Sequence, residues 1–143
     1  MLKKAPAREP FCYIIVAMFI VEITKSFQAS QGLNSPVRAS KGLSSLVPKE
    51  GFAVVIRAGI EFSNDQLNER GWFVDTDAVE DAVAECAAFL GSDKWTSLFD
   101  FRPTFELVSK WSFDKLNADI VQLRYIELEN KTIGVRTRYT VQK

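Results

Sequence analysis

Two stretches at the end of the chain alternate apolar and polar residues with a period of two. They cover residues 121–128 and 133–141 and flank a turn signal at Asn130-Lys131. Such alternation predicts half-buried β-strands, and two strands around a short turn predict a hairpin. In the second strand, an apolar set lies on one face and a polar set on the other: Ile133, Val135, Thr137, Tyr139 and Val141 against Arg136, Arg138 and Gln142. A sheet with one apolar face must bury that face under another layer, so the hairpin constrains the rest of the fold.

Two amphipathic helices are predicted before this hairpin. The first begins at Asp77, which fits a capping box with Glu80, and ends before Gly91. Its apolar face consists of Val79, Val83, Cys86 and Leu90. The second begins near Pro103-Thr104, with Glu106 in the first turn, where the helix dipole favours an acid. Its exposed stripe is Glu106, Lys110 and Asp114, and its wide apolar arc, which should pack against a sheet, is Phe105, Leu107, Val108, Trp111, Phe113 and Leu116.

Two further strands are predicted in the first half of the chain. Residues 52–62 (FAVVIRAGIEF) are β-branched and aromatic and are bounded by turn residues. Residues 11–21 (FCYIIVAMFIV) form a continuous apolar run, which we interpret as a long first strand. Because Lys3, Lys4 and Arg8 precede this run, the alternative is a secretory signal peptide. The run is shorter than the about 20 apolar residues of a membrane span and passes directly into Glu22, so we expect a cytoplasmic protein, with secretion as the alternative.

Residues 30–50 separate these two strands and are rich in Ser, Gly, Pro and Lys without an apolar period. This composition predicts a long surface loop. Arg38, Lys41 and Lys49 could contact a phosphate group from such a loop. No glycine-rich cradle or helix start lies beside them, so we favour a solvated loop.

The predicted order of elements is therefore ββααββ. Pairs of strands separated by two helices predict an α+β fold, in which an antiparallel four-stranded sheet carries both helices on one face. A length of 143 residues is typical of one domain, so we expect residues 1–143 to form a single domain. Residues 1–18 are either a disordered lead-in or an extension of the first strand.

Histidine is absent from the whole chain. Because histidine is the usual proton shuttle near neutral pH and the commonest metal ligand, Ser-His-Asp, Cys-His and His-zinc sites are excluded. The two cysteines, Cys12 and Cys86, are too few for a disulfide framework and are not at metal spacing. The 18 basic and 18 acidic residues cancel, so we expect neither nucleic acid nor a membrane as a partner.

Glu127 stands out in the third predicted strand. A period of two places Val121, Leu123, Tyr125 and Glu127 on one face, so three apolar side chains are followed by a carboxylate. A buried carboxylate costs several kcal/mol unless it is paired. Glu127 therefore either forms a salt bridge at the sheet margin, with Arg136 or Lys131, or faces a partner or ligand rich in N–H donors.

Three segments of the second half form recognisable motifs. They are residues 71–75 (GWFVD) before a helix, residues 103–116 (PTFELVSKWSFDKL) and residues 124–127 (RYIE). Together they resemble the 6-pyruvoyltetrahydropterin synthase and 6-carboxytetrahydropterin synthase family. The resemblance extends from about residue 19 to residue 139 and implies the tunnelling fold, in which subunit sheets join edge to edge into a barrel. It also implies a pterin-anchoring role for Glu127, assisted by Thr104 near the start of the second helix.

The sequence departs from this family at the catalytic positions. The resemblance implies three zinc ligands and a cysteine. In this chain Gln31, Pro48 and Glu50 occupy the ligand positions, and Ser44 occupies the position of the cysteine. Lys94-Trp95 likewise stands where the family has Asp-His. Because a catalytic zinc needs three suitable protein ligands, we expect no metal, no cofactor and no catalytic residue of the family's reaction.

Three functions remain open at this point. The first is a catalytically degenerate homologue that binds a pterin or purine-like ring through Glu127 and Thr104, because a carboxylate can accept two parallel N–H bonds. The second is a non-catalytic scaffold, and the resemblance implies a homo-oligomer, a trimer or hexamer. The third is a metal-independent lyase or aldolase of the same fold, with Glu127, Lys94 and Tyr125 as candidates.

Overall fold

Four strands form one antiparallel sheet in the order β1-β2-β3-β4. The computed structural model describes residues 18–33, 51–67 and 76–142. Its strands are β1 (Met18–Ala29), β2 (Phe52–Ser63), β3 (Leu123–Asn130) and β4 (Val135–Thr140). The helices between β2 and β3 are α1 (Thr76–Leu90), α2 (Trp95–Leu98) and α3 (Phe105–Asn117), and a 3-10 turn at Asn64–Gln66 follows β2. The ββααββ order is confirmed, with the short helix α2 as an unpredicted addition.

Both long helices pack on the same face of the sheet. Helix α1 lies against β1, and α3 lies against β3 and β4. Their buried side chains join those of the two central strands in one core, whose fully buried members include Ile56, Ala58, Ile60, Val83, Leu90, Val108, Ile126 and Leu128. Each large aliphatic side chain buried in this way contributes about 1.5–3 kcal/mol. The predicted placement of both helices on one face is therefore confirmed.

The ends of the helices follow the sequence signals, with small differences. Thr104 is the N-cap of α3, and its Oγ1 accepts a hydrogen bond from the Leu107 amide at 3.2 Å. Asp77 lies within the first turn of α1 and not before it, whereas α1 ends before Gly91 as predicted. Leu107 is the exception to the predicted apolar arc of α3, because its side chain is 43% exposed. The sheet covers only the part of the helix surface that carries Val108, Phe113 and Leu116.

The first strand lies further along the chain than predicted. Residues 11–17 of the predicted strand lie outside the described residues, and β1 continues past residue 21 to Ala29. It pairs with β2 along its whole length, from Met18 opposite Ser63 to Ala29 opposite Phe52. The predicted strand is too short at its C-terminal end, because the continuous apolar run stops at residue 21. Beyond it, the residues of β1 that face the core alternate with exposed polar ones such as Glu22 and Thr24.

A β-bulge separates the two halves of β3. Tyr125 lies opposite Gly59, but Leu123 lies opposite Ile60, so Arg124 is an extra residue on β3. Because of this shift, Leu123 points into the core with the helices, whereas Tyr125 and Glu127 point to the other face. The prediction that Val121, Leu123, Tyr125 and Glu127 share one face of the sheet is therefore wrong. Val121 also precedes β3 and is 65% exposed.

The turn between β3 and β4 is longer than the predicted turn at Asn130-Lys131. It covers residues 131–134 and ends at Gly134, whose φ of 72° lies in the left-handed region that glycine adopts without strain. Ile133 therefore belongs to the turn and is exposed, and it does not share the strand face with Thr137 and Tyr139 as predicted.

Candidate functional site

The face of the sheet that points away from the helices, which we call the open face, carries a cluster of charged and polar side chains. The cluster consists of Glu22, Arg57, Tyr125, Glu127, Glu129, Arg136 and Arg138. Strand pairing places these residues in rows across the sheet. One row contains Arg57, Glu127 and Arg138, and another contains Glu129 and Arg136. Acidic residues of β3 are therefore flanked by arginines from both neighbouring strands.

Glu127 lies at the centre of this cluster, and its side chain is only 4% exposed. Its Oε1 accepts hydrogen bonds from Arg138 Nη2 at 3.1 Å and Nε at 3.3 Å. Its Oε2 accepts one from Arg57 Nη1 at 3.1 Å. Arg136, one of the two predicted partners, lies farther away at 3.9 Å. Glu127 is therefore not a residue of the sheet margin; it is a buried carboxylate on a central strand whose two oxygens are engaged by its own chain.

Glu129 shares the Arg57 guanidinium with Glu127. Arg57 Nη1 donates to Glu129 Oε1 at 2.7 Å, and Arg136 Nε lies 3.6 Å from the other oxygen. The hydrogen bond from Arg57 lowers the pKa of Glu129, and the nearby Arg136 charge acts in the same direction. Because a charge-assisted hydrogen bond stabilises the ionised acid, Glu129 strengthens the network in its charged form.

Tyr125 lies flat over Gly59 and reaches across β2 to β1. Its hydroxyl group donates a hydrogen bond to Glu22, and the Arg138 guanidinium lies 3.9 Å from its ring centroid. Burial, followed by the bond to the Glu22 carboxylate, raises the pKa of Tyr125 to about 12. A Cβ atom on Gly59 would lie 2.2 Å from the Tyr125 ring, so this arrangement requires glycine at position 59.

Thr104 lies at a different place in the molecule. It caps α3 on the helix side of the sheet, where Gln31 Nε2 donates a hydrogen bond to the Pro103 carbonyl at 2.9 Å. Glu127 points to the open face. The structure therefore brings Gln31 close to Thr104, but within one chain it does not bring Thr104 and Glu127 into one pocket.

The described residues at the positions where the resemblance implies catalytic groups do not fit a zinc ion. The Gln31 amide is used in the bond to Pro103, and Trp95 is fully buried, with its Nε1 donating to the Leu90 carbonyl at 2.8 Å. An indole N–H has no lone pair to offer a metal. Ser44, Pro48 and Glu50 lie outside the described residues. Within residues 18–33, 51–67 and 76–142, no group of three or more His, Cys, Asp or Glu side chains could hold a metal ion.

The residues suggested for a metal-independent reaction are also separated. Tyr125 and Glu127 lie two residues apart on the open face, whereas Lys94 is exposed beside Trp95 on the helix side. Cys86 is buried in α1, and burial raises the pKa of its thiol, so it behaves as an inert core residue. Cys12 lies outside the described residues. In the described part of the chain, no helix is both long and apolar enough to cross a membrane.

Comparison with known proteins identifies a structural relative. The structure of Caenorhabditis elegans 6-pyruvoyl tetrahydropterin synthase superposes with a TM-score of 0.67, covering 91% of this chain and 100% of that chain at 14% sequence identity. No protein-family model and no curated protein sequence matches. At this identity the likeness shows the fold alone, so this chain has the tunnelling fold of that synthase.

Proposed function

We propose that this chain is a non-catalytic, homo-oligomeric scaffold of the tunnelling fold that does not perform a zinc-dependent pterin reaction. The observation that carries this proposal is the state of Glu127. Arg57 and Arg138 already donate to both of its oxygens, so the carboxylate that the resemblance assigns to ring binding is satisfied within its own chain. A hydrogen-bonded charge of this kind stabilises the sheet without any ligand.

The positions expected to hold catalytic groups support the same proposal. Gln31 holds the start of α3 through the Pro103 carbonyl, and Trp95 fills the core against the Phe105 ring at a centroid distance of 5.0 Å. Both side chains are thus part of the packing. A buried indole supplies neither a metal ligand nor a general base, and an amide is neither a general base nor one of the Cys, His or carboxylate ligands that zinc takes.

Assembly is supported by the edges of the sheet. Among the described residues, the outer edges of β1 and β4 pair with no other strand. Exposed edges of this length expose unpaired backbone groups, which natural proteins cover, charge or pair. Large apolar side chains are also exposed on the two outer strands, namely Met18, Phe19 and Ile20 on β1 and Val135 on β4. Joining copies of the chain would pair these edges and cover these side chains.

Two measurements test this proposal. Native mass spectrometry of the purified protein should show a homo-oligomer without bound zinc, and incubation with dihydroneopterin triphosphate and added zinc should give no product. Turnover above a no-protein blank would overturn the non-catalytic part of the proposal. A single mass corresponding to the 16.1 kDa chain would overturn the assembly.

Ring binding through Glu127 is the second candidate function. It is favoured by the position of this carboxylate, which is held by arginines on a central strand of the open face. Since its arginine partners are partly exposed, a pterin or purine-like ring could replace one of them, and Thr104 would have to come from another copy of the chain. Calorimetry with neopterin and with guanine tests this: binding must be present in the wild type and absent in Glu127→Ala.

The proposal further takes residues 1–143 as one domain in the cytoplasm. The free thiol of Cys86 is compatible with a reducing compartment. Fractionation of cells that express the tagged protein tests the compartment, and limited proteolysis tests the domain, because a single domain should give one resistant fragment.

A further inference from the structure

The Arg138 side chain of β4 contacts two residues of β3 on the open face. Its guanidinium group lies over the Tyr125 ring, with Cζ 3.9 Å from the ring centroid. The edge of the guanidinium group formed by Nε and Nη2 donates to Glu127 Oε1 at 3.3 and 3.1 Å. An aromatic ring under a planar cation and a carboxylate at its N–H edge are the two contacts by which proteins bind guanidinium groups.

Tyr125 and Glu127 are also held by contacts that do not involve Arg138. The Tyr125 ring lies against Gly59, and its hydroxyl group donates to Glu22. Glu127 Oε2 accepts a hydrogen bond from Arg57 Nη1 at 3.1 Å. If Arg138 moved away, one face of the Tyr125 ring and one oxygen of Glu127 would therefore open to a ligand, while these other contacts would keep both side chains in place.

Arg138 is the member of this arrangement that can leave at the lowest cost. Its side chain is 47% exposed, whereas that of Glu127 is 4% exposed. Water can therefore replace the hydrogen bonds of the guanidinium group when it swings outward, and ion pairs of partly exposed side chains are worth only about 1 kcal/mol or less. Glu127 has no such alternative, because it stays buried on β3.

The charges that remain would favour another cation at this position. The cluster contains three carboxylates and three guanidinium groups, namely Glu22, Glu127 and Glu129 with Arg57, Arg136 and Arg138. Withdrawal of Arg138 leaves three negative charges and two positive charges, so the site then carries one net negative charge. A neutral planar ligand would leave this charge uncompensated next to the buried Glu127, whereas a planar cation would balance it.

We propose that the open face contains a binding site for a small molecule with a planar guanidinium or amidinium group, and that the Arg138 side chain occupies this site as an internal ligand. The small molecule would stack on the Tyr125 ring and donate to Glu127 Oε1. This inference goes beyond the proposed scaffold but rests on the same bonded state of Glu127. The affinity of the wild-type protein is then lowered by the fraction of molecules in which Arg138 remains in place.

Calorimetric titration with benzamidine, an aromatic amidinium ion, tests the site in Arg138→Ala. Arg136→Ala is the matched control, since it removes the same charge from the same strand and face, but Arg136 is 61% exposed and lies 3.9 Å from Glu127. We expect Arg138→Ala to bind benzamidine at least about tenfold more tightly than either the wild type or the control binds it. Benzamidine should also raise the Tm of Arg138→Ala more than that of the other two proteins.

Two further probes test the chemistry of the ligand. Benzamide has nearly the same planar shape as benzamidine but no charge, and benzylamine has the charge but no planar pair of nitrogens. Both should bind Arg138→Ala more weakly than benzamidine does. Equal binding of benzylamine would show an unspecific negative patch, and equal binding of benzamide would show stacking without charge recognition; either result would overturn the proposed ligand class.

Equal affinity of the wild type, Arg138→Ala and Arg136→Ala for benzamidine would overturn the inference. If circular dichroism shows that Arg138→Ala does not fold, Arg138→Gln decides the question, because glutamine keeps an N–H donor for Glu127 without the planar cation and should also bind more tightly than the wild type. The oligomer mass and the zinc assay test the proposed function separately, since neither involves benzamidine. A failed titration in an assembled, inactive protein therefore overturns this inference alone.

Discussion

Arg57 and Glu127 lie directly opposite each other on β2 and β3, with Arg57 Nη1 3.1 Å from Glu127 Oε2. The same nitrogen donates to Glu129 at 2.7 Å. One guanidinium group thus holds two acids that are two residues apart on one face of β3. Such a pair on central strands fixes the register between β2 and β3, because a slip by one residue would turn these side chains into the core.

Removing the Glu127 carboxylate should destabilise the fold. Glu127→Ala removes the hydrogen bonds that its carboxylate accepts from Arg57 and Arg138, and hydrogen bonds to charged groups contribute about 1.5–3 kcal/mol. Urea unfolding monitored by circular dichroism measures the loss. Glu85→Ala is the control, since it removes a carboxylate from the exposed side of α1, and it should change the free energy of unfolding by less than about 0.5 kcal/mol. Equal stability of the two variants would contradict the role assigned to the network.

Gly59→Ala should destabilise the protein because the added Cβ atom would meet the Tyr125 ring at 2.2 Å. We expect a loss of about 1–3 kcal/mol, in the range for overpacking a closed site. The double-mutant cycle with Tyr125→Ala identifies the cause: without the ring, the same glycine substitution should cost less than half as much. An equal cost in both backgrounds would indicate a backbone effect at position 59 and no clash with Tyr125.

The protein should lose stability in acid, because protonation of Glu129 removes its bond to Arg57. Since Arg57 lowers its pKa below the ordinary value of 4.5, the folded state binds fewer protons than the unfolded state in this range. The contribution of Glu129 to stability is fully present above its ordinary pKa of 4.5 and is lost as the pH falls through its lowered pKa in the folded state. Urea unfolding from neutral pH down through 4.5 should therefore show a shallower acid decline in Glu129→Gln than in the wild type. Glu85→Gln controls for general loss of an acidic charge, and identical slopes for Glu129→Gln and the wild type would contradict the prediction.

Tyr125 should ionise later than an ordinary tyrosine. Its pKa of about 12 exceeds the usual value of 10, so the folded state retains the hydroxyl proton longer than the unfolded state. Stability that is complete below pH 10 should decline as the pH rises toward about 12. An ultraviolet titration of the phenolate absorbance should show a late component that disappears in Tyr125→Phe. If Tyr125→Phe instead removed a component of the titration near pH 10, the raised pKa assigned to Tyr125 would be contradicted.

The elements with strong periodicity were predictable from the sequence. Strand β2, helix α1 and the Thr104 cap of α3 lie where the alternation, the helical spacing and the N-terminal signal placed them. These features depend on local residue patterns. The short helix α2 has only four residues and no apolar period, so no local residue pattern predicts it.

The features that depend on register could not be predicted. A single extra residue at Arg124 reverses the faces of Leu123 and Tyr125, and no local pattern marks a bulge there. The period of two marks Glu127 as an unusual acid, but nothing in the sequence points to Arg57, because its position opposite Glu127 follows only from the pairing of β2 with β3. The Gly59 below Tyr125 could have been a signal, since an isolated glycine in a strand often marks a close approach.

Trp95 should be required for the stability of the helix layer. Its indole N–H donates to Leu90, one of the last carbonyls of α1, which has no partner within the helix. Trp95→Phe keeps most of the ring and should cost about 1–2 kcal/mol for the lost bond. Trp95→His leaves a larger cavity, because an imidazole is much smaller than an indole, and should cost about 3 kcal/mol or more. Thermal unfolding measures the stability of both variants. If Trp95→His destabilised the protein no more than Trp95→Phe, the packing role of Trp95 would be contradicted.

The buried indole also bears on the evolutionary history that such a chain can have. A chain with an imidazole at position 95 would lack the volume of the indole that now fills the core beside α1. Since natural domains are only about 5–15 kcal/mol more stable than their unfolded chains, a single step of this size removes a large part of that margin. A variant with histidine at position 95 would therefore be poorly folded, unless compensating changes in the neighbouring core came first.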